Sequence, residues 1–300
     1  MPSHARIGAL SYVPIDLRGA SLALLISLVW GVNPVAIKLG LEDAPPLRLA
    51  AYRFVLGGAV ILLWAWLTGG MRRLRIARDE WRPLIVLGVL FTLQIASMNI
   101  GTNLTSAAHS AILLNLYAVH TVVLAHFLLP GDRLDLRRLA GVVIAYAGIV
   151  LLVARQATAG SPTLLGDAIM FGSALILAER TVYMARAVQR FDPVKLIVSQ
   201  VVIGTVLFLG GSLAFESAVT RWTPMLAATV AFQGVAVTGF NFMVNLWLLK
   251  RYRTSSLAAF FLTQPLFGVV AAALIAGDPL TPDLLLASAA VAVGIGLSSR

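Results

Sequence analysis

A membrane-embedded bundle of ten apolar helices, arranged as two similar halves, is the fold this sequence predicts, on three observations. First, 59% of the 300 residues are hydrophobic and only 12% are charged, which leaves more apolar surface than a soluble domain of this size can cover. Second, about 20 apolar residues cross a bilayer, and ten runs approach or reach that length: 17–37, 46–68, 82–102, 106–129, 135–154, 163–185, 194–215, 224–249, 255–276 and 281–298. Third, the layout repeats. Thr105 to Leu152 reads as a helix, a Gly131-Asp132 turn and a second helix, and Thr254 to Ser299 repeats it with Gly277-Asp278. Leu134 answers Leu280, Ala147-Gly148-Ile149 answers Val293-Gly294-Ile295, and Asn115 falls opposite Gln264. Earlier in the halves, Pro46 answers Pro193 and Leu17-Arg18-Gly19 answers Leu164-Leu165-Gly166. Such self-similarity points to duplication, with residues 1–154 and 163–300 as the expected halves.

The formal net charge of +10 reports orientation rather than a nucleic-acid partner. Most Lys and Arg residues lie in the N-terminal tail, in 69–82, 130–138, 186–195 and 250–254, and at Arg300, whereas the alternate loops carry only Lys38, Arg48, Arg155 and Arg221. Positive charge stays on the cytoplasmic side of a membrane, so both termini are expected there and nucleic-acid binding is not expected. Cysteine is absent, which excludes disulfides and thiolate chemistry. Basic residues precede the first apolar run as in a signal peptide, but that run is full length and no small-residue cleavage site follows, so it is expected to stay as the first span. The Asn103-Leu104-Thr105 sequon sits too close to the membrane to be read as a glycosylation site.

In helix 1, Trp30-Gly31-Val32-Asn33-Pro34 places a proline inside a span, which deprives the carbonyl four residues back of its partner and predicts a kink near Val29 to Trp30. The other tryptophans fall near span ends, as an aromatic belt would place them, while Trp30 lies deep and lines a cavity or packs. Helix 2 follows Pro45-Pro46 and carries Arg53 about 10 Å along its length, where a lipid-facing guanidinium is costly; it points inward or snorkels. Its counterpart in the second half is Gln200. Helix 3 sets Gln94, Ser97, Met98 and Gly101 on one face. Helix 4 carries His109, Asn115, Tyr117, His120 and His126, without the one-turn spacing of a histidine metal site; His120, the deep one, packs with a hydrogen bond or moves a proton.

Helix 5 is nearly bare of polar groups apart from Tyr146. Helix 6 carries Glu179-Arg180, and Glu179 is the acidic residue clearly within a span, a coupling group or one partner of a rim salt bridge. Helix 7 contributes Gln200 and Gly210-Gly211. In helix 8, Gly234, Thr238, Asn241 and Asn245 form a polar stripe, which faces a cavity or hydrogen-bonds to another helix. Helix 9 places Gln264 near Phe260 and Phe267 and directly before Pro265, an amide between aromatics at a helix break and so the floor of a pocket. Helix 10, like helix 5, is bare.

No zinc-protease, serine-hydrolase, Walker A or dinucleotide motif occurs, and no pair of carboxylates lies within the spans, so an enzyme and a resident cofactor or metal are not expected. Neither rings of like charge nor a filter loop marks a channel. A secondary carrier remains. The ordered set of Trp30-Gly31, Pro46 followed by Tyr52-Arg53-Phe54, the Gly131-Asp132 turn, Ala147-Gly148-Ile149, Gly277-Asp278 and Gly294 resembles the EamA-type members of the drug/metabolite transporter superfamily, over nearly the whole chain. Asp stands at the turns where that family often has Glu.

The resemblance implies an all-α integral membrane protein of ten transmembrane helices in two inverted five-helix repeats, in the plasma membrane (a bacterial inner membrane). It further implies a central cavity lined mainly by helices 1, 3, 4, 6, 8 and 9, with helices 5 and 10 peripheral. The odd number of spans per half agrees with inversion. The expected partners are a small-molecule substrate and the lipid bilayer, with the protein a monomer. The expected function is export of neutral or aromatic amino acids or related small metabolites by alternating access, a use frequent in that family. Asn115 and Gln264 would hold the substrate, Trp30, Tyr117, Phe260 and Phe267 would wall it, and Asn33, Gln94, Asn241 and Asn245 would widen the polar contact. With no charged residue expected at mid-depth, the substrate should be net neutral. Glu179, Arg53 and His120 are the residues for coupling or gating. The alternative is a proton-coupled exporter of lipophilic cations that uses Glu179.

Overall fold

The computed structural model describes residues 14–128, 134–158, 163–188, 190–252, 257 and 260–298. The N-terminal tail before Pro14, the Gly131-Asp132 turn and the 159–162 linker lie outside the described residues. The chain is helical almost throughout: α1 (Leu17–Gly40), α2 (Pro46–Leu67), α3 (Trp81–Leu104), α4 (Ala107–Leu128), α5 (Leu136–Thr158), α6 (Leu164–Ala187), α7 (Pro193–Phe215), α8 (Pro224–Arg251), α9 (Gln264–Ala276) and α10 (Pro282–Ser298). Among the described residues, eight helices are long and apolar enough to cross a membrane, and α9 and α10 are shorter apolar helices.

Sequence chemistry sets the helix ends. Asp16 caps α1 by accepting from Gly19 N, Ser106 caps α4 through His109 N, and Thr223 caps α8 through Leu226 N. Such caps satisfy backbone donors that a helix start leaves without partners. α2, with Pro46 at its first position, has no side-chain cap of its own. Glu216, at the end of α7, supplies it by accepting from Leu47 N (2.6 Å) and Arg48 N (3.0 Å). α9 ends at Gly277, whose φ of 73° is the left-handed conformation that closes a helix. The next residue, Asp278, accepts from Ala108 N (2.8 Å) at the start of α4. The Gly-Asp pair therefore stops one helix and caps another.

α5 and α10 pack on each other through small residues. A Cβ on Gly141 would lie 2.6 Å from Gly294 O, and one on Gly294 would lie 2.6 Å from Gly141 O. Contact this close suits helices that associate in lipid by van der Waals packing. α1, α4 and α9 meet as tightly. A Cβ at Gly31 would meet Gln264 O at 2.7 Å, and one at Gly268 would meet the Cβ of Ala111 at 2.4 Å.

The two ends of the bundle differ. At one end, His109 Nδ1 and Thr105 Oγ1 meet the buried Asp167 (3.0 and 2.5 Å), while Lys38 Nζ donates to the carbonyls of Thr102, Asn103 and Thr105 at the end of α3. At the other, Lys195 binds both oxygens of Glu80 (2.8 and 2.7 Å), clamping α7 to the start of α3. The Lys195 bond, and the donation from Ala77 N, hold the Glu80 carboxyl below its ordinary 4.5. A depressed carboxyl lends its stabilisation above that ordinary value and loses it as pH falls further. Limited proteolysis of the 69–80 segment should accelerate as pH drops below 4.5, and Glu80→Gln should give the faster cleavage already at neutral pH.

Candidate functional site

Two helices break where the site lies. α4 is interrupted at Leu116, between Ala107–Asn115 and Tyr117–Leu128. α9 starts at Gln264 after a turn at Leu262-Thr263, with Pro265 in its first turn. Sequence periodicity gave no sign of the first interruption, because no proline or glycine marks it; Pro265 marked the second. Asn115 and Gln264, equivalent in the two halves, thus both sit at helix breaks, the arrangement in which backbone and amide groups are freed to face a cavity.

α8 is irregular too. Phe232–Phe240 is a π-helical segment, in which each turn takes in an extra residue and the faces rotate. The polar stripe expected along α8 is therefore split. Thr238 turns to α2, donating to Gln233 O (2.9 Å) and accepting from Arg53 Nε (3.2 Å). Asn241 turns to α1, donating to Ile26 O (3.0 Å). Asn245 faces the interior cavity.

That cavity has a volume of about 310 Å³. α1 contributes Trp30, Asn33 and Pro34; α2, Arg53 and Phe54; α3, Phe91, Gln94, Ile95 and Met98. α4 contributes Leu114, Asn115 and Tyr117; α6, Leu177, Arg180 and Thr181; α8, Val237, Phe242 and Asn245; α9, Gln264. Seven helices converge, the expected six together with α2. The duplication is visible in the lining: at the spacing that relates Pro46 to Pro193, Trp30, Asn33 and Pro34 answer Leu177, Arg180 and Thr181, and Ile95 and Met98 answer Phe242 and Asn245.

The wall is apolar with a few polar groups left open. Asn33 Oδ1, Arg53 Nη1, Asn245 Oδ1 and Gln264 Nε2 are buried without a hydrogen-bond partner. A native interior satisfies most such groups, so four orphans around one cavity point to something that comes to bond them. Asn115 spends its amide nitrogen on Ala111 O (2.7 Å) and keeps its oxygen to offer.

Of the residues singled out from the sequence, Trp30, Asn33, Gln94, Asn115, Tyr117, Asn245, Gln264 and Arg53 line the cavity. Asn241 does not, for the π-helical rotation just described. Phe267 does not, because it packs where Gly31 lets α9 approach α1. Phe260 packs among Ala23, Ile26 and Leu257 instead. His120 lies behind the wall, its ring 5.6 Å from Tyr146 and 5.0 Å from Phe171. Glu179 lies on the exposed outer face of α6, one residue around from Arg180, which enters the cavity. The expectation of a cavity without charge is corrected by Arg53 and Arg180. Arg180 was visible in the sequence as half of the Glu179-Arg180 pair, but the pair was read for its glutamate; its equivalence to Asn33 is the signal that could have placed it in the cavity. Among the described residues, no group of His, Asp and Glu has the makings of a metal site.

A family model described as "EamA-like transporter family" matches this chain twice, at residues 17–154 and 164–300. The chain belongs to the EamA-like transporter family. It is a multi-pass membrane protein and a transporter, with a small-molecule substrate and the lipid bilayer as its partners. Among its relatives, an uncharacterized transporter of Archaeoglobus fulgidus is 28% identical over 83% of this chain and 86% of its own length. A probable amino-acid metabolite efflux pump of Escherichia coli strain K12 is 25% identical over 91% of this chain and 92% of its own. A solved crystal structure of another protein covers 93% of this chain and 95% of its own, with a TM-score of 0.69 at 22% identity, and so shares the fold.

Proposed function

We propose that this EamA-like transporter is a secondary carrier that exports amino acids or related small metabolites by alternating access around the cavity. The observation that carries the proposal is the convergence of the orphaned polar groups of Asn33, Arg53, Asn245 and Gln264 on one space, at the level where α4 and α9 are broken. A pocket of this size, apolar with a few directed polar groups, suits a small metabolite. The relative named as an amino-acid metabolite efflux pump supports that substrate class. In this reading α9 and α10 also cross the membrane, making ten spans in two inverted halves, 1–154 and 163–300, in the plasma membrane with both termini cytoplasmic. The 17 residues of α10, at about 1.5 Å each, span most of a hydrocarbon core. The gathering of the 69–82 and 186–195 segments at one end, through Glu80 and Lys195, agrees with that sidedness. The protein is expected to work as a monomer.

Substrate sites face each side in turn as the halves rock. Among the described residues the cavity wall holds no carboxylate, so a proton is not required to empty it. The export of lipophilic cations through Glu179 is disfavoured: Glu179 is outside the cavity and two arginines are inside it. The test is uptake of labelled neutral and aromatic amino acids by proteoliposomes holding the full chain, with and without a pH gradient. Saturable uptake that persists without the gradient is expected. A properly folded protein that moves none of them would end the amino-acid reading, and uptake that needs the gradient and is lost in Glu179→Gln would restore the proton-coupled one.

A further inference from the structure

The charge of the cavity is unbalanced. Arg53 is 4% exposed; its Nε meets Thr238 Oγ1 at 3.2 Å, and its Nη1 has no partner. Its guanidinium carbon lies 4.8 Å from the centre of the Phe54 ring, and that of Arg180 lies 5.2 Å from the centre of Phe91. Phe54 and Phe91 themselves meet edge to face, with centres 4.8 Å apart. The two guanidiniums therefore flank one aromatic pair. Among the described residues, neither forms an ion pair with a carboxylate and no Asp or Glu lines the space.

An arginine keeps its proton under protein conditions, so the protein itself brings two positive charges to the cavity, between low-dielectric walls. A buried charge without a counter-ion is strongly disfavoured unless something brings the opposite charge. Stacking on a ring engages a guanidinium through its face and leaves its in-plane edge to hydrogen-bond elsewhere; in Arg53, Nε takes Thr238 and Nη1 is left without a partner. The donors of that edge form the planar fork that pairs with a carboxylate through two parallel bonds. The duplication isolates the feature. The counterpart of Arg180 is Asn33, a neutral amide on the same wall, and the counterpart of Arg53 is Gln200, which turns away to bond Leu196 O. Both charges are thus additions to a site whose other polar groups are neutral.

We propose that the cavity selects net-anionic substrates: small carboxylates with an apolar body and no free ammonium group. This rests on the carrier reading above and narrows its substrate class. The carboxylate sits between Arg53 and Arg180, and the apolar body lies against Trp30 and Tyr117. The ammonium of an ordinary amino acid finds no carboxylate there to offset its repulsion from the two guanidiniums. An anion is also driven outward by a membrane potential negative inside, so export of this class proceeds without a coupled proton.

The test uses one skeleton in three charge states, in counterflow with proteoliposomes of the full chain at mildly acidic pH: N-acetylphenylalanine as the anion, phenylalanine as the zwitterion and phenylalaninamide as the cation. The anion is expected to exceed the zwitterion by about tenfold in kcat/KM, the scale of one well-placed charge contact, and the cation is expected not to move. Arg180→Gln should bring the anion and the zwitterion to similar kcat/KM, and an anion preference still about tenfold in variant protein that melts cooperatively would overturn the charge selection. A potential made more negative inside should speed anion efflux and leave the zwitterion unchanged. Zwitterion flux equal to or above that of the anion in the unaltered protein would overturn the charge selection and leave the carrier reading standing. Flux of none of the three, from protein that melts cooperatively, would overturn both.

Discussion

Replacing Asn115 and Gln264 together by alanine is expected to lower kcat/KM for transport by about a hundredfold, two buried hydrogen bonds at roughly 1.4 kcal/mol each. The two residues are complementary. Asn115 commits its amide nitrogen to Ala111 O and presents its oxygen, whereas Gln264 has an amide nitrogen without a partner. One half of the chain thus offers an acceptor, the other a donor, each at a helix break. Either single substitution should cost about tenfold. The double variant removes polar groups from a cavity rather than from a packed core, so its melting temperature should stay within a few degrees of the parent. Unchanged transport by the double variant would remove the cavity from the account.

Gly31→Val is expected to damage both the fold and transport. A Cβ at this position would stand 2.7 Å from Gln264 O and 2.9 Å from the Cβ of Phe267, and the backbone of α9 cannot rotate away as a flexible side chain could. Valine adds two further methyl groups. Overpacking of this kind costs about 3 kcal/mol, and here it also displaces Gln264. Thermal unfolding in detergent should begin several degrees lower, with transport lost in the protein that remains folded. Gly210→Val is the contrasting case, since a Cβ there meets nothing within 4 Å; it should leave both properties near the parent's.

What the sequence made legible follows from which physical signals a single chain carries. Apolar run length fixed where the helices lie, because a bilayer imposes it on every span. The Gly277-Asp278 pair could be read as a turn, since left-handed backbone favours glycine, but its second task, the Asp278 cap on Ala108 N, depends on tertiary packing. Periodicity failed at α8. A regular helix would have kept Thr238, Asn241 and Asn245 on one side, and the π-helical turn sent them to α2, α1 and the cavity. Phe267 looked like a wall residue by spacing from Gln264, yet the absence of a side chain at Gly31 draws it into the α1–α9 contact. Glu179 and Arg180 are adjacent, and about 100° of helix rotation separates them; only packing decides which one enters the bundle. The acidic residue drew attention as the rare charge in a span, and the arginine beside it is the one that faces the site.

Substrate is expected to occupy the space among α1, α2, α3, α4, α6, α8 and α9. The chain contains no cysteine, so a single one can be introduced without altering the background. Thr181→Cys places a thiol on the cavity wall beside Arg180, and Ser217→Cys places one in the exposed segment after α7. The measurement is the rate of modification of each by a small water-soluble thiol reagent, with and without a saturating transported substrate. Substrate is expected to slow labelling at residue 181 severalfold and to leave that at 217 unchanged. Equal rates at 181 with and without substrate, in protein shown to transport it, would place the substrate outside this cavity.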